Sequence, residues 1–280
     1  MEVKVEKLPK STVKLIIKIE SDKVKETYQH VLSEFAEETE MEGFRKGKAP
    51  LPLVEKTVKE GDLNGETINH LLRQYYTSAL KEHMIKPVGN PKVIIKAFSK
   101  DADFEFEAEI AVKPDIALGD YKSKLKQVHL KKNLENKDEK QSLNIEDVIF
   151  AVSEVCEVEF SDILVEEEVN RMLGRLLQQA ETLGLNIEQY LSAQNKTVEQ
   201  LRKEYEETAK KNIKAEFALS KAIEQEDIKV EDSEIEEAIN AVPDEKVREE
   251  LQNGTDRWYI ISILAKNKLI KKLIDETEGK

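Results

Sequence analysis

Two stretches in which every second residue is apolar lie far apart in this chain, and the sequence between them follows a different period. Val13, Leu15, Ile17 and Ile19 alternate with Lys14, Lys18 and Glu20, and some eighty-five residues later Phe104, Phe106, Ala108, Ile110 and Val112 alternate with Glu105, Glu107 and Glu109. A period of two marks a strand with one buried face. Val3 and Val5 begin a strand before the first stretch, across a break at Leu8-Pro9-Lys10-Ser11, and Val93 and Ile95 begin one before the second. In between, Val24, Tyr28, Val31, Leu32 and Phe35, then Ile68, Leu71, Leu72, Tyr75, Tyr76, Ala79 and Leu80, recur at helical spacing. The order strands, helices, strands predicts an α+β domain in which an antiparallel sheet packs its apolar face on helices.

The helical stretch is interrupted at Gly43-Phe44-Arg45-Lys46-Gly47-Lys48-Ala49-Pro50. Ser21 or Asp22 is expected to cap the preceding helix, which runs to about Glu42. Pro50 and Pro52 suit the first turn of the next, a short helix with Leu53, Val54 and Val58 that Gly61 is expected to close. The interruption is therefore the tip of a helix–loop–helix. An aromatic beside three cations exceeds what a plain connection needs, and suits docking on a surface that is partly apolar and partly anionic. A phosphate-binding loop is disfavoured: three residues separate Gly43 from Gly47 where that motif has four, Ala49 stands where it has Ser or Thr, and a helix precedes it. An inert turn is the plainer alternative.

Gly43, Phe44, Arg45, Gly47, Lys48 and Pro50 together resemble the ribosome-binding signature of the trigger factor family, bacterial chaperones that meet nascent chains at the exit tunnel. Val112-Lys113-Pro114-Asp115 is similar to the end of that family's N-terminal domain, which bounds a domain at 1–115. The resemblance implies that Gly43, Phe44, Arg45, Lys46, Gly47, Lys48 and Pro50 form the ribosome-binding site.

From 116 to 143 the periodicity decays while lysines accumulate at Lys122, Lys124, Lys126, Lys131 and Lys132, followed by Asn136-Lys137-Asp138-Glu139-Lys140. This reads as an extended basic linker, with a short strand at Val128 and Leu130 or a second RNA-binding patch as alternatives. From 144 to 280 the pattern is helical. Val165, Val169, Met172, Leu173, Leu176, Leu177, Ala180 and Leu183 form one stripe, with Gly184 placed as its C-cap. Asn186 with Gln189, and Thr197 with Gln200, read as capping boxes. Leu201, Tyr205, Ala209, Ile213 and Phe217 mark a long helix, Ile235, Ala238 and Ile239 a short one ended by Pro243, and the segment from about Asp256 to Ile274 a last helix apolar around much of its girth. The segments beginning Leu164-Val165-Glu166, Leu185-Asn186-Ile187 and Lys196-Thr197-Val198 resemble the arms of the family's C-terminal domain, which implies an all-α substrate-binding domain with helical arms over 144–280.

The family ordinarily carries a peptidyl-prolyl isomerase domain between these halves, and the sequence offers no room for one; with aromatics at 6 per cent it also lacks the makings of that domain's pocket. His30, His70, His83 and His129 are scattered with no His-x3-His pair, so no metal site is expected, and no nucleophile or nucleotide-loop motif gives a catalytic residue or a cofactor. Cys156 is the only cysteine, which excludes an intramolecular disulfide, and its neighbours Val155 and Val158 suggest a packed thiol. A net charge of −13 argues against broad nucleic-acid binding but leaves room for a small basic tip. No stretch approaches the roughly 20 apolar residues of a membrane span, and the start of the chain carries no apolar signal core, so a cytoplasmic protein is expected. The resemblance implies an ATP-independent chaperone, not an enzyme, that docks on the ribosome near the exit tunnel and holds nascent or unfolded polypeptides. A ribosome-independent holdase or assembly factor of the same fold is the alternative, and a homodimer is left open.

Overall fold

The computed structural model describes residues 1–135, 141–184, 186, 187, 189, 191, 196–253 and 257–279. The chain divides into two compact units: Met1–Pro114 with Phe160–Leu164, and Asp115–Glu159 with Val165–Lys280.

The first unit is the expected α+β arrangement. Strands β1 (Glu2–Leu8), β2 (Thr12–Ile19), β3 (Lys92–Ala97) and β4 (Phe104–Ala111) form an antiparallel sheet in the order β1-β2-β4-β3. The register sets Leu15 opposite Ala108, Ile17 opposite Phe106 and Ile19 opposite Phe104, so the alternating residues of both strands share one face. These residues are sealed from solvent, with Val24, Leu71 and Ala79 from the helices packed on them. Each fully buried Phe or Ile there contributes about 1.5–3 kcal/mol of transfer free energy. The opposite face carries charge: Lys14 pairs with Glu107 at 2.5 Å, and Lys96 with Glu105 at 2.7 Å and Glu107 at 3.0 Å.

Helices α1 (Ser21–Glu38), α2 (Leu51–Thr57) and α3 (Glu60–Glu82) lie between the strands in sequence. Three local expectations are corrected. The first helix begins at Ser21 itself, with its backbone N–H donating to Asp103 Oδ1 at 2.9 Å, so the cap comes from beside β4 and not from Ser21 or Asp22. It ends at Glu38, short of Glu42, because Thr39 turns to extended backbone and its hydroxyl donates to Phe35 O. Gly61 does not close α2: it lies in the first turn of α3, between Glu60 and Asp62, whose charges favour a helix N-terminus. Residues 160–164 join this unit through Ser161, buried and accepting from Thr12 Oγ1 at 2.8 Å, and through Asp162, paired with Lys10 at 2.8 Å.

In the second unit, strand β5 (Ile116–Leu118) pairs antiparallel with β6 (Cys156–Val158). Gly119 lets the two strands approach closely, since a Cβ there would lie 3.2 Å from Val155 O and press on it. The remaining elements are α4 (Tyr121–Glu135), α5 (Ile145–Glu154), α6 (Asp162–Thr182), α7 (Val198–Gln225), α8 (Asp232–Asn240), α9 (Glu245–Asn253) and α10 (Arg257–Glu278). Cys156 is buried in the core, with Val148, Ala151, Val152, Ala218, Ala222, Leu269 and Leu273. Farther out, Leu176, Leu191 and Leu201 close α6 on α7. Both expected capping boxes form: Gln189 N–H donates to Asn186 Oδ1 at 2.8 Å, and Gln200 N–H to Thr197 Oγ1 at 3.2 Å. Helix α9 has no counterpart among the elements expected from the sequence.

The extended basic linker over 116–143 is the main correction. The segment supplies a strand and a four-turn helix, and Val128 and Leu130 lie on that helix rather than in a strand. Tyr121, Leu125 and Val128 form its inward stripe, with Tyr121 and Leu125 buried. Two of the lysines are held by acids distant in sequence: Lys122 by Glu226 at 2.8 Å and Lys132 by Asp147 at 2.7 Å. Residues 136–140 of the expected linker lie outside the described residues.

Candidate functional site

The loop between α1 and α2 is built from two consecutive tight turns. Phe44 N–H donates to Met41 O at 3.1 Å and Lys48 N–H to Arg45 O at 2.9 Å. In each turn the third residue is glycine: Gly43 at φ +86° and Gly47 at φ +76°. Positive φ at that position is what a turn of the type II class demands, and glycine meets it without Cβ strain. Phe44 and Arg45 occupy the junction of the two turns.

The feet of the loop are fixed. Ala49 is buried with Tyr28, Val31, Leu32, Ala36, Val54 and Leu63, and Met41 and Leu51 pack against the same cluster. Pro50 is the N-cap of α2, its carbonyl accepting from Leu53 N–H at 2.9 Å, while Pro52 takes a first-turn position where no N–H is needed. A polar brace adds to this. Tyr28 OH on α1 donates to Glu55 Oε1 on α2 at 2.9 Å, and Lys100, from the β3–β4 connection, reaches the same oxygen at 2.7 Å and lies 5.1 Å from the Tyr28 ring centre. Burial, then the Glu55 contact, pushes the Tyr28 hydroxyl pKa up; the Lys100 and Tyr28 hydrogen bonds hold the Glu55 carboxyl down.

The tip itself is open. Phe44 is 43 per cent exposed and belongs to no apolar cluster among the described residues. Arg45, Lys46 and Lys48 are exposed, and none has an ion-pair partner among the described residues. The structure therefore brings all seven sequence-selected residues onto one framed loop: Phe44, Arg45, Lys46 and Lys48 offer side chains, while Gly43, Gly47 and Pro50 set the backbone. Ala49, Tyr28, Glu55 and Lys100 were not singled out for this site. Their only sequence signal is the helical spacing of Tyr28, because the brace joins three segments that are separate in the chain.

The bacterial trigger factor family model matches residues 1–147, and the model of the trigger factor C-terminus matches residues 123–275. The chain belongs to the trigger factor family. Trigger factor of Clostridium botulinum strain Hall is 31% identical over 190 residues, covering 67% of this chain and 44% of the relative. Trigger factor of Clostridium kluyveri is 35% identical over 133 residues, 48% of this chain and 30% of the relative. The chain thus spans less than half the length of the curated relatives it matches. A solved structure of the trigger factor chaperone, from work on promiscuous substrate recognition in its folding and assembly activities, covers 99% of this chain and 100% of its own, with a TM-score of 0.66 at 15% identity. At that identity the likeness is one of trigger factor fold.

Proposed function

We propose that this trigger factor relative is an ATP-independent chaperone that docks on the ribosome near the exit tunnel through the 43–50 loop and holds nascent or unfolded polypeptides on its helical unit. The observation that carries the reading is the framed tip, an exposed Phe44 flanked by three cations that no carboxylate of the described residues neutralises. Free cations attract phosphate oxygens and acidic side chains at a range set by salt, and a half-exposed aromatic supplies the apolar anchor once contact is made. Because Ala49 and the Tyr28–Glu55–Lys100 brace hold the loop's feet, little ordering entropy is lost on docking.

The helical unit exposes large apolar side chains at Leu130, Leu134, Phe150, Leu177, Val198, Trp258 and Tyr259. Such scattered surface suits weak binding to many unfolded sequences. The two family matches overlap over 123–147, which supports a chain with no isomerase domain between them and no enzymatic role. No helix among the described residues is long and apolar enough to cross a membrane, in keeping with work in the cytoplasm.

The test is co-sedimentation with ribosomes of the wild type beside the triple variant Phe44→Ala, Arg45→Ala, Lys46→Ala, at low and moderate salt, together with suppression of aggregation of an unfolded client. Loop docking predicts that the wild type pellets, less so as salt rises, and that the variant does not, while both suppress aggregation alike. Aggregation suppression without any pelleting gives the ribosome-independent holdase instead.

A further inference from the structure

The four histidines look unconnected in sequence, yet the fold of the first unit brings two of them together. His30 and Glu34 are four apart on α1; Glu66 and His70 are four apart on α3. Residues at that spacing share one helix face. The two faces meet: His30 Nδ1 lies 3.6 Å from Glu34 Oε1, His70 Nε2 lies 3.6 Å from Glu34 Oε2 and 3.4 Å from Glu66 Oε1. The imidazole centres are 6.1 Å apart.

We propose that His30, Glu34 and His70, with Glu66 as fourth ligand, form a binding site for zinc or a similar borderline divalent cation that clips α1 to α3. Four ligands held at zinc's bond lengths are separated by about 3.3–3.5 Å along the edges of the tetrahedron. His70 Nε2 stands 3.4 Å from Glu66 Oε1 and 3.6 Å from Glu34 Oε2, close to those edges, while His30 Nδ1 stands 3.6 Å from the other Glu34 oxygen, Oε1; all three separations exceed the ~2.7–2.9 Å of charge-assisted hydrogen bonds. One ligand atom from each of His30, Glu34 and His70 lies within 4.8 Å of the others, and the exposed His30 side chain can close the remaining gap by a small rotation. Two neutral imidazoles and two carboxylates make a donor set that suits zinc, and the two negative charges balance its two positive ones. A shallow groove along α3, lined by His70, Arg73, Gln74, Thr77 and Ser78, leaves His70 open to an entering ion.

The site would act as a staple. It joins α1, which leads into the 43–50 loop, to a helix of the same unit that packs on the sheet. Cation binding to the folded state alone raises stability by mass action.

The test uses the full chain without any polyhistidine tag, stripped with a chelator and titrated with zinc chloride by calorimetry. One zinc per chain is expected, with a dissociation constant on the order of micromolar, and cobalt(II) should give the intense visible bands of a tetrahedral complex. His70→Ala and Glu34→Ala should each weaken binding at least ~30-fold, while His83→Ala and His129→Ala leave it unchanged. Saturating zinc should raise the thermal midpoint of the wild type by about 5 °C and that of His70→Ala by none. Absence of saturable binding below about 100 µM, or binding that His70→Ala and Glu34→Ala leave intact, overturns the proposal. A cluster stabilised by acid and indifferent to zinc also overturns it, and leaves ion pairs of protonated histidine in its place.

Discussion

Two lysine-rich stretches, the 43–50 loop and helix α4, have similar local charge and opposite fates. In α4 the stripe Tyr121, Leu125, Val128 draws the segment onto the core, and Lys122 and Lys132 meet Glu226 and Asp147. In the loop, Arg45, Lys46 and Lys48 meet no acid of the described residues, and the two glycine turns hold them outward. A run of lysines is thus not informative by itself. What matters is whether the fold delivers carboxylates to it, and a stretch that the fold leaves unneutralised is the one available to a partner.

Glu226 shows how far that neutralisation goes. It accepts from Tyr121 OH at 2.8 Å and pairs with both Lys122 and Lys272. Burial works to raise its pKa, but the hydrogen bonds from Lys122, Lys272 and Tyr121 outweigh burial and hold the carboxyl down at about 2. The Tyr121 hydroxyl is pushed up to about 12, by burial first and then by the Glu226 hydrogen bond.

The largest expected effect is on docking: the Phe44, Arg45, Lys46 triple alanine variant should lose on the order of 100-fold in ribosome affinity while its unfolding midpoint is unchanged. Equal pelleting of variant and wild type would remove the functional half of the contrast. Next, Glu226→Ala should cost about 3 kcal/mol in denaturant unfolding, since it leaves the Tyr121 hydroxyl without its acceptor and Lys122 and Lys272 with Glu276 alone, yet ribosome pelleting should persist. If stability is untouched, the α4 lysines are no more engaged than those of the loop.

The same network fixes a pH dependence. Glu226 ionises near 4.5 when unfolded and near 2 when folded, so its contribution is complete above pH 4.5 and disappears as pH falls to about 2. Tyr121 titrates near 10 unfolded and about 12 folded, so its contribution is complete below pH 10 and disappears as pH rises to about 12. The two share one hydrogen bond and are not additive. Unfolding free energies measured across both windows should fall by on the order of 3 kcal/mol at the acid end, and Glu226→Gln should flatten that limb. Smaller still, Tyr28→Phe should cost about 1 kcal/mol by removing one hydrogen bond of the loop brace, with a two- to threefold loss of docking. The smallest effect is Lys46→Gln, for which unfolding should shift by less than about 0.5 kcal/mol, as expected of an unpaired surface cation.

Much of the fold was legible because it rests on periodicity. The alternation of Leu15, Ile17 and Ile19 with that of Phe104, Phe106 and Ala108 anticipated β2 and β4 and their buried face. Thr197 with Gln200 marked the start of α7 through a bond between neighbours. Helix α4 was missed because lysines between its apolar positions masked a stripe of three residues. Strands β5 and β6 are three residues each, too short for a period to emerge, and depend on pairing across some forty residues. At the loop, Gly43 and Gly47 were readable, since positive φ is a local demand, whereas the Glu55–Lys100 contact was not. His30 and His70 escaped a search for paired histidines because each is paired in sequence with a glutamate, and they meet only across two helices.

The sequence by itself determined the strongly periodic strands and helices, such as β2, β4, α3 and α7, where the tip turns, and that the tip carries an aromatic among cations, because each follows from contacts within a few residues. Only the tertiary structure decided which lysines are neutralised, that α4 belongs to the helical core, and that two Glu/His pairs converge between α1 and α3. Those outcomes depend on which distant carboxylate, backbone or ring arrives at a side chain, and that is fixed when apolar faces are buried together.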